Sequence, residues 1–246
     1  ASEKGPWANS YDRWRNDNLT NRYQGVQFGY TSAGRYTSWN DIWSYPGYKE
    51  RDILPGDYKY EDWNGDGEIN GQDEHPFAFD QTPWLQFSLN AGLQWKNLDF
   101  NMLLQGSALG SMEYKEPLHE IWGKNGGGAL TQFLDRWHPV DPKADPYDPS
   151  TVWTSGHYAY TGRWAKNNSA FNRVSTAYLR LKSIELGYTF PKLKQIPNAS
   201  LRIYANAYNL LTFTGVKFVD PEHPDDDLGR MYPLNKTYTL GVSLSF

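Results

Sequence analysis

Period-two alternation dominates the carboxyl end of the chain. From Lys236 to Phe246, Tyr238, Leu240, Val242, Leu244 and Phe246 alternate with Thr239, Gly241, Ser243 and Ser245. That is the signature of a strand with one apolar face and one small, polar face. Upstream, Leu85, Phe87, Leu89, Ala91, Leu93 and Trp95 alternate with Gln86, Ser88, Asn90, Gly92 and Gln94. After a tight turn at Lys96-Asn97, Leu98, Phe100, Met102 and Leu104 resume the period. Each arm of this hairpin runs about 11 residues, close to the roughly 9–11 that a tilted strand needs to cross a bilayer. Further strands are expected over 178–190 and 200–213, and another over 24–35, where Val26, Phe28 and Tyr30 share a face. Tyr178, Arg180 and Lys182 interrupt the apolar face of the 178–190 strand, so that half either projects above the lipid or holds a bulge.

The connections carry a second regularity. Long segments at 36–83, 110–177 and 214–234 alternate with a turn at 96–97 and a short link at 191–199. Long loops are unusual in compact domains. They are expected in outer-membrane barrels, which pair short periplasmic turns with longer extracellular loops. The pattern therefore predicts an all-β transmembrane barrel with Phe246 on the periplasmic side and the three long loops outward. Six expected strands cannot close a barrel, since membrane barrels begin at about eight, and open edges are not tolerated in hydrocarbon. The chain is expected to be a carboxyl-terminal part of something larger, with 1–23 a connecting segment and 24–246 barrel strands with outward loops. Trp95 and Phe190 stand beside the short turns, where an aromatic girdle belongs.

Composition fits that reading. The chain has 246 residues and no cysteine, which excludes a disulfide scaffold and thiolate metal sites. Its 24 Lys and Arg against 28 Asp and Glu give a net charge of −4, so there is no basic footprint for nucleic acid. Mean hydropathy is −0.75 and no apolar run approaches the roughly 18 residues of a spanning helix, which excludes helical spans but not strands. Aromatic residues make up 16% of this hydrophilic chain. Trp39, Trp43, Trp122, Trp137, Trp153 and Trp164 all fall in the expected loops, as buried core or as stacking platforms for a ligand or partner.

Several segments, in order, resemble the end of SusC/RagA-type TonB-dependent transporters. They are Ser175–Pro191, with Tyr178-Leu179-Arg180-Leu181-Lys182 and Glu185-Leu186-Gly187-Tyr188, then Leu201–Thr212, with Asn206-Ala207-Tyr208-Asn209-Leu210-Leu211. Asp220-Pro221-Glu222, Tyr232-Pro233 and the terminal Tyr238-Thr239-Leu240-Gly241 follow. Upstream, Pro55-Gly56-Asp57-Tyr58-Lys59-Tyr60-Glu61-Asp62-Trp63-Asn64-Gly65-Asp66-Gly67-Glu68-Ile69-Asn70 is similar to an acidic loop of that family. The resemblance implies a 22-stranded outer-membrane barrel with an amino-terminal plug, energised through TonB. It also implies a SusD-type surface lipoprotein as lid, with oligosaccharide as the usual cargo and peptide in some members. The plug, the TonB-contacting region and most strands would lie outside this chain.

One loop carries candidate metal chemistry. Asp62, Asn64, Asp66, Glu68, Asn70 and Asp73 occupy positions 1, 3, 5, 7, 9 and 12 of a calcium-loop pattern, with Gly67 at position 6. Hard oxygen ligands at alternate positions around a sharp glycine turn are what Ca²⁺ requires. Asp73 replaces the longer, bidentate Glu of the standard loop, and no flanking helices are evident. The alternative is an acidic Asx-rich turn that binds nothing. Carboxylates are dense at 57–74 and again at 220–230, as solvated faces or as contacts for a basic partner or divalent ions.

For catalysis the sequence offers no HExxH pair, nucleophile elbow or phosphate loop, so no enzyme is expected. The leading expectation is part of an outer-membrane importer for oligosaccharides. The alternatives are a secreted β-rich carbohydrate-binding module or glycoside hydrolase, a structural or adhesive surface protein, and a peptide importer of the same family.

Overall fold

The alternating segments fold into one antiparallel sheet. A computed structural model describes residues 24–47, 52–115, 118–119, 130–160, 168–191, 199–223 and 229–246. In chain order its strands are β1 (Gln27–Gly29), β2 (Ser32–Arg35), β3 (Tyr58–Tyr60), β4 (His75–Ala78), β5 (Leu85–Trp95), β6 (Leu98–Ala108) and β7 (Ser111–Glu113). Then follow β8 (His138–Pro139), β9 (Trp153–Thr154), β10 (Arg173–Ser175), β11 (Tyr178–Phe190), β12 (Ser200–Thr214) and β13 (Thr237–Ser245). One short helix, α1 (Trp39–Ser44), lies between β2 and β3. The chain divides into two compact units, one formed by 81–111, 175–226 and 230–246, the other by 1–80, 112–174 and 227–229.

The first unit is the sheet, in the order β13-β12-β11-β6-β5. Its register aligns apolar residues in rows across all five strands. Trp95, Leu98, Tyr188, Ile203 and Val242 form one row, and Leu93, Phe100, Leu186, Ala205 and Leu240 the next. Side chains on this face are open to the surroundings, with Leu93 66% and Leu240 82% exposed. A continuous apolar face that no protein covers is the outer band of a membrane barrel. The opposite face carries rows such as Gly92, Asn101, Glu185, Asn206 and Thr239, as a polar barrel interior requires. Among the described residues β5 and β13 are the sheet's unpaired edges, so the sheet is a segment of a barrel and not a closed one.

The interruption in β11 is a bulge. Between Leu181 and Ser183 the register shifts against both β6 and β12, and the strand's parity changes. Leu179 and Leu181 therefore share the apolar face with Ile184, Leu186 and Tyr188, while Tyr178 and Arg180 turn to the polar face. A strand kept in strict alternation would have put a guanidinium into lipid.

The 24–35 segment does not add a sixth strand to this sheet. β1 pairs with β4 and β2 with β3, each across a register shift, in the second unit. Tyr30 is drawn into an aromatic core with Tyr58, Tyr60, Ile69 and Ala159, against which Phe171 packs. Tyr30 and Tyr60 ring centres are 5.5 Å apart, and Phe171 meets Tyr58 edge-on at 4.8 Å. Backbone bonds from Tyr30 to Asn168 and from Ala170 to Tyr30 join the two ends of this core. The first two long connections are thus folded around their own centre.

Candidate functional site

Three of the six singled-out tryptophans converge in the second unit. Trp39, Trp137 and Trp153 line a pocket of about 270 Å³ together with Thr37, Ser38, Pro55, Pro149, Thr151 and Ser155. β8 and β9 pair Pro139 with Trp153, so Trp137 and Ser155, two residues away on each strand, fall on the same side of this ladder. Gly56, at φ +91°, lets the chain pass under Trp137; a Cβ there would lie 2.3 Å from the indole Cγ. Trp153 is set edge-on against Tyr160 at 5.4 Å.

Trp39 opens α1, whose N-cap Ser38 accepts from the Asp41 amide at 3.2 Å. Asp41 in turn accepts from Lys59 Nζ at 2.6 Å and from the Thr37 amide at 3.1 Å. The Lys59 hydrogen bond holds the Asp41 carboxyl below the usual carboxylate range. On the opposite wall, Asp148 accepts from the amide and hydroxyl of Ser150, and the Thr151 hydroxyl donates to Asp145 O at 2.6 Å. The carboxylates around the pocket thus hold its loops, and none lines it.

The other tryptophans stand apart. Trp43 packs beside Trp39 at 6.0 Å but is 69% exposed and does not line the pocket. Trp122 and Trp164 lie outside the described residues.

The acidic loop closes on its own backbone. Asp62 accepts from the amides of Gly65, Asp66 and Gly67, and Asp66 accepts from that of Glu68. Asn64 donates to Asp66 and Gln72. Asn70 caps a 3₁₀ turn over Gly71–Asp73. Asp73 is fully buried and accepts from Trp63, Asn64 and Asn70 amides. Burial pushes its carboxyl above the usual range, against the pull of those amides. Among the described residues no three carboxylate or imidazole groups converge on one point. Asp62, Asn64 and Asp66 do cluster at the tip, with Glu68, Asn70 and Asp73 on the returning limb, and Gly65 and Gly67 at positive φ make the turn.

On the polar face of the sheet, β11 and the chain beyond β12 form a charged cluster that the sequence did not single out as a site. Arg180 is buried, with its Nη2 bidentate to Asp220 at 2.7 and 2.9 Å and Nη1 on Glu222 at 2.7 Å. Its Nε donates to the Thr212 hydroxyl at 2.9 Å. Lys182 and the Tyr178 hydroxyl also donate to Glu222, at 3.0–3.1 Å and 3.0 Å. Two carboxylates of the 220–230 run therefore bind bases of their own chain. Beside them, Gln86, Ser88, Gln105, Ser107, Lys182 and His223 line a larger cavity of about 920 Å³. The signal for it was the polar half of each alternating strand. Farther along the same face, Arg202 reaches across Gly187 to Asp99 and donates to Glu185 at 2.6 Å.

Comparison with known proteins gives one consistent answer. No family model matches the chain. It is 28% identical over 211 residues to TonB-dependent receptor P3 of Formosa agariphila, covering 79% of this chain and 19% of that protein. It is 27% identical over 239 residues to TonB-dependent receptor P26 of the same organism, covering 91% of this chain and 22% of the relative. The chain thus spans about a fifth of the length of these relatives. In fold it is similar to the RagAB peptide transporter, with a TM-score of 0.59, 20% identity, and coverage of 90% of this chain and 22% of the other. A second RagAB structure, the peptide importer in its closed-closed state, gives 0.57 at 20% identity, with 89% of this chain and 23% of that one covered. The relatives carry the names of receptors and importers, not of enzymes. The strand rows, the ordered motifs and these relatives agree: the chain is similar to part of TonB-dependent receptors and shares its fold with part of the RagAB transporter.

Proposed function

We propose that the chain belongs to an outer-membrane importer that takes up oligosaccharides, energised by TonB and covered by a SusD-type surface lipoprotein. The observation that carries the cargo class is the pocket of Trp39, Trp137 and Trp153, since indole faces with hydroxyl-bearing neighbours suit the apolar faces and hydroxyls of sugars. In this reading Phe246 lies at the periplasmic side, the long connections face outward, and the plug and TonB-contacting region are supplied from outside this chain. A peptide importer of the same family is the second reading. The fold shared with the RagAB peptide importer favours it.

Deleting the gene decides between them. Cells without the transporter lose growth on a particular oligosaccharide under the first reading and on a particular peptide digest under the second. Normal growth on both overturns the importer reading.

Calcium in the 62–73 loop is a further part of the proposal, supported by the ligand types and spacing of Asp62, Asn64, Asp66, Glu68, Asn70 and Asp73. Metal analysis of the purified transporter should show calcium that Asp62→Ala with Asp66→Ala removes. Unchanged metal content in that variant contradicts it.

A further inference from the structure

We infer that the Trp39–Trp137–Trp153 pocket is a specific site for one neutral pyranose ring of an oligosaccharide, outside the barrel strands themselves. This assignment deepens the oligosaccharide reading above and rests on it.

Size is the first argument. The pocket's volume of about 270 Å³ falls just under the roughly 300–1,000 Å³ of sites that take drug-sized ligands, so it admits a single ring and not a folded chain. Its charge is the second. Every lining residue is Trp, Pro, Ser or Thr, so nothing there offers an ion pair to a uronate, a sulfate or an ammonium group. A charged ligand would gain no ion pair from such a wall, which favours a neutral one.

The third argument is an unmet hydrogen-bonding need. The indole Nε1 atoms of Trp39 and Trp153 are buried and have no acceptor among the described residues. Buried donors are nearly always paired, with protein, ligand or ordered water. Both belong to indoles that line the pocket, so a ligand hydroxyl or a bridging water that reaches them would complete the site.

Preorganisation is the fourth. Trp137 rests on Gly56, Trp153 on Tyr160, and the helix of Trp39 is held by the Asp41–Lys59 ion pair. Rings fixed before binding lose little freedom on binding. A proline-rich peptide also stacks on indoles, but it docks as an extended segment along a groove. The ring-sized pocket favours the sugar.

The test is calorimetric titration of the whole detergent-solubilised transporter. The probes are neutral glucose, mannose, galactose and xylose hexasaccharides, a galacturonate hexasaccharide and a proline-rich decapeptide. At least one neutral hexasaccharide should bind. Trp137→Ala and Trp153→Ala should weaken that binding about tenfold or more, and Trp153→Phe, which keeps a ring but loses the N–H, about fivefold. Trp43→Ala, outside the pocket, should leave it unchanged. Trp153→Phe keeps the test open if the alanine variants fail to fold.

Binding of only the galacturonate or the peptide overturns the assignment, and so does binding of no probe at all. If cells import the neutral sugar while these variants bind it like the wild type, the pocket assignment fails and the importer reading stands. If the pocket variants lose binding while cells lacking the gene take the sugar up normally, the importer reading fails and the pocket stands.

Discussion

The sheet and the unit built from the long connections handle apolar groups in opposite ways. The sheet turns Leu93, Leu186, Leu240 and Val242 outward and its charges inward. Among the described residues Arg180 is the largest fully buried side chain, and it sits on the sheet's polar face. The other unit is arranged like a water-soluble domain, with Tyr30, Tyr58, Tyr60 and Ile69 inside and Asp62, Asp141 and Asp145 on exposed turns. The contrast teaches that one chain can follow two solvent rules. Where the surroundings are hydrocarbon, ion pairs face the interior; where they are water, aromatic rings do.

Three substitutions probe this contrast, from the largest effect to the smallest. Arg180→Ala leaves Asp220 and Glu222 without their main partner on the polar face. It should cost about 2–4 kcal/mol, read as a lowered unfolding midpoint in detergent, because it strands the partly buried Asp220 and leaves Glu222 only Lys182 and Tyr178. A cost below about 1 kcal/mol would mean that the cluster is effectively solvated. Leu240→Arg puts a charge in the middle of an apolar row and should cost about 2–4 kcal/mol near the bilayer midplane, seen as reduced assembly into membranes. Wild-type assembly would argue that this face does not meet lipid.

The smallest effect is expected in the other unit. Asp41→Asn removes a partly exposed pair with Lys59, worth about 0–1 kcal/mol, and should loosen Trp39 without unfolding the unit. Because the folded carboxyl is held below its unfolded value of about 3.9, its contribution is present above that value. It is lost as pH falls through the depressed folded value. Sugar binding should accordingly be flat from pH 7 to about 5 and weaken below about 4 in the wild type, with no such step in Asp41→Asn. A step that persists in the variant would assign it to another carboxyl.

Legibility in the sequence follows the range of the interactions. The β5–β6 hairpin and the apolar face of β13 were readable because alternation is local and Lys96-Asn97 marks the turn. The facing of Tyr178 and Arg180 was not, since the bulge that sets it belongs to the register with β6 and β12. Val26, Phe28 and Tyr30 mimicked a barrel strand, yet Tyr30 belongs with Tyr60 and Phe171, partners distant in sequence. The tryptophans were nominated as a set, and only folding separates Trp39, Trp137 and Trp153, which meet, from Trp43, which does not. Pro55, Thr37 and Ser155 had no local signal at all. In the acidic loop, position and residue type were legible, whereas the backbone amides that occupy Asp62 and Asp73 were not.

The central claim is that the sheet's apolar face meets lipid. This chain contains no cysteine, so single cysteines along β13 can be spin-labelled in the whole transporter reconstituted in bilayers, once any cysteine outside this chain is replaced by serine. Labels at 238, 240, 242 and 244 should be relaxed by membrane-dissolved oxygen, and those at 239, 241 and 243 by a water-soluble nickel complex, with strict period two. Uniform access of the nickel complex to both sets would contradict the account.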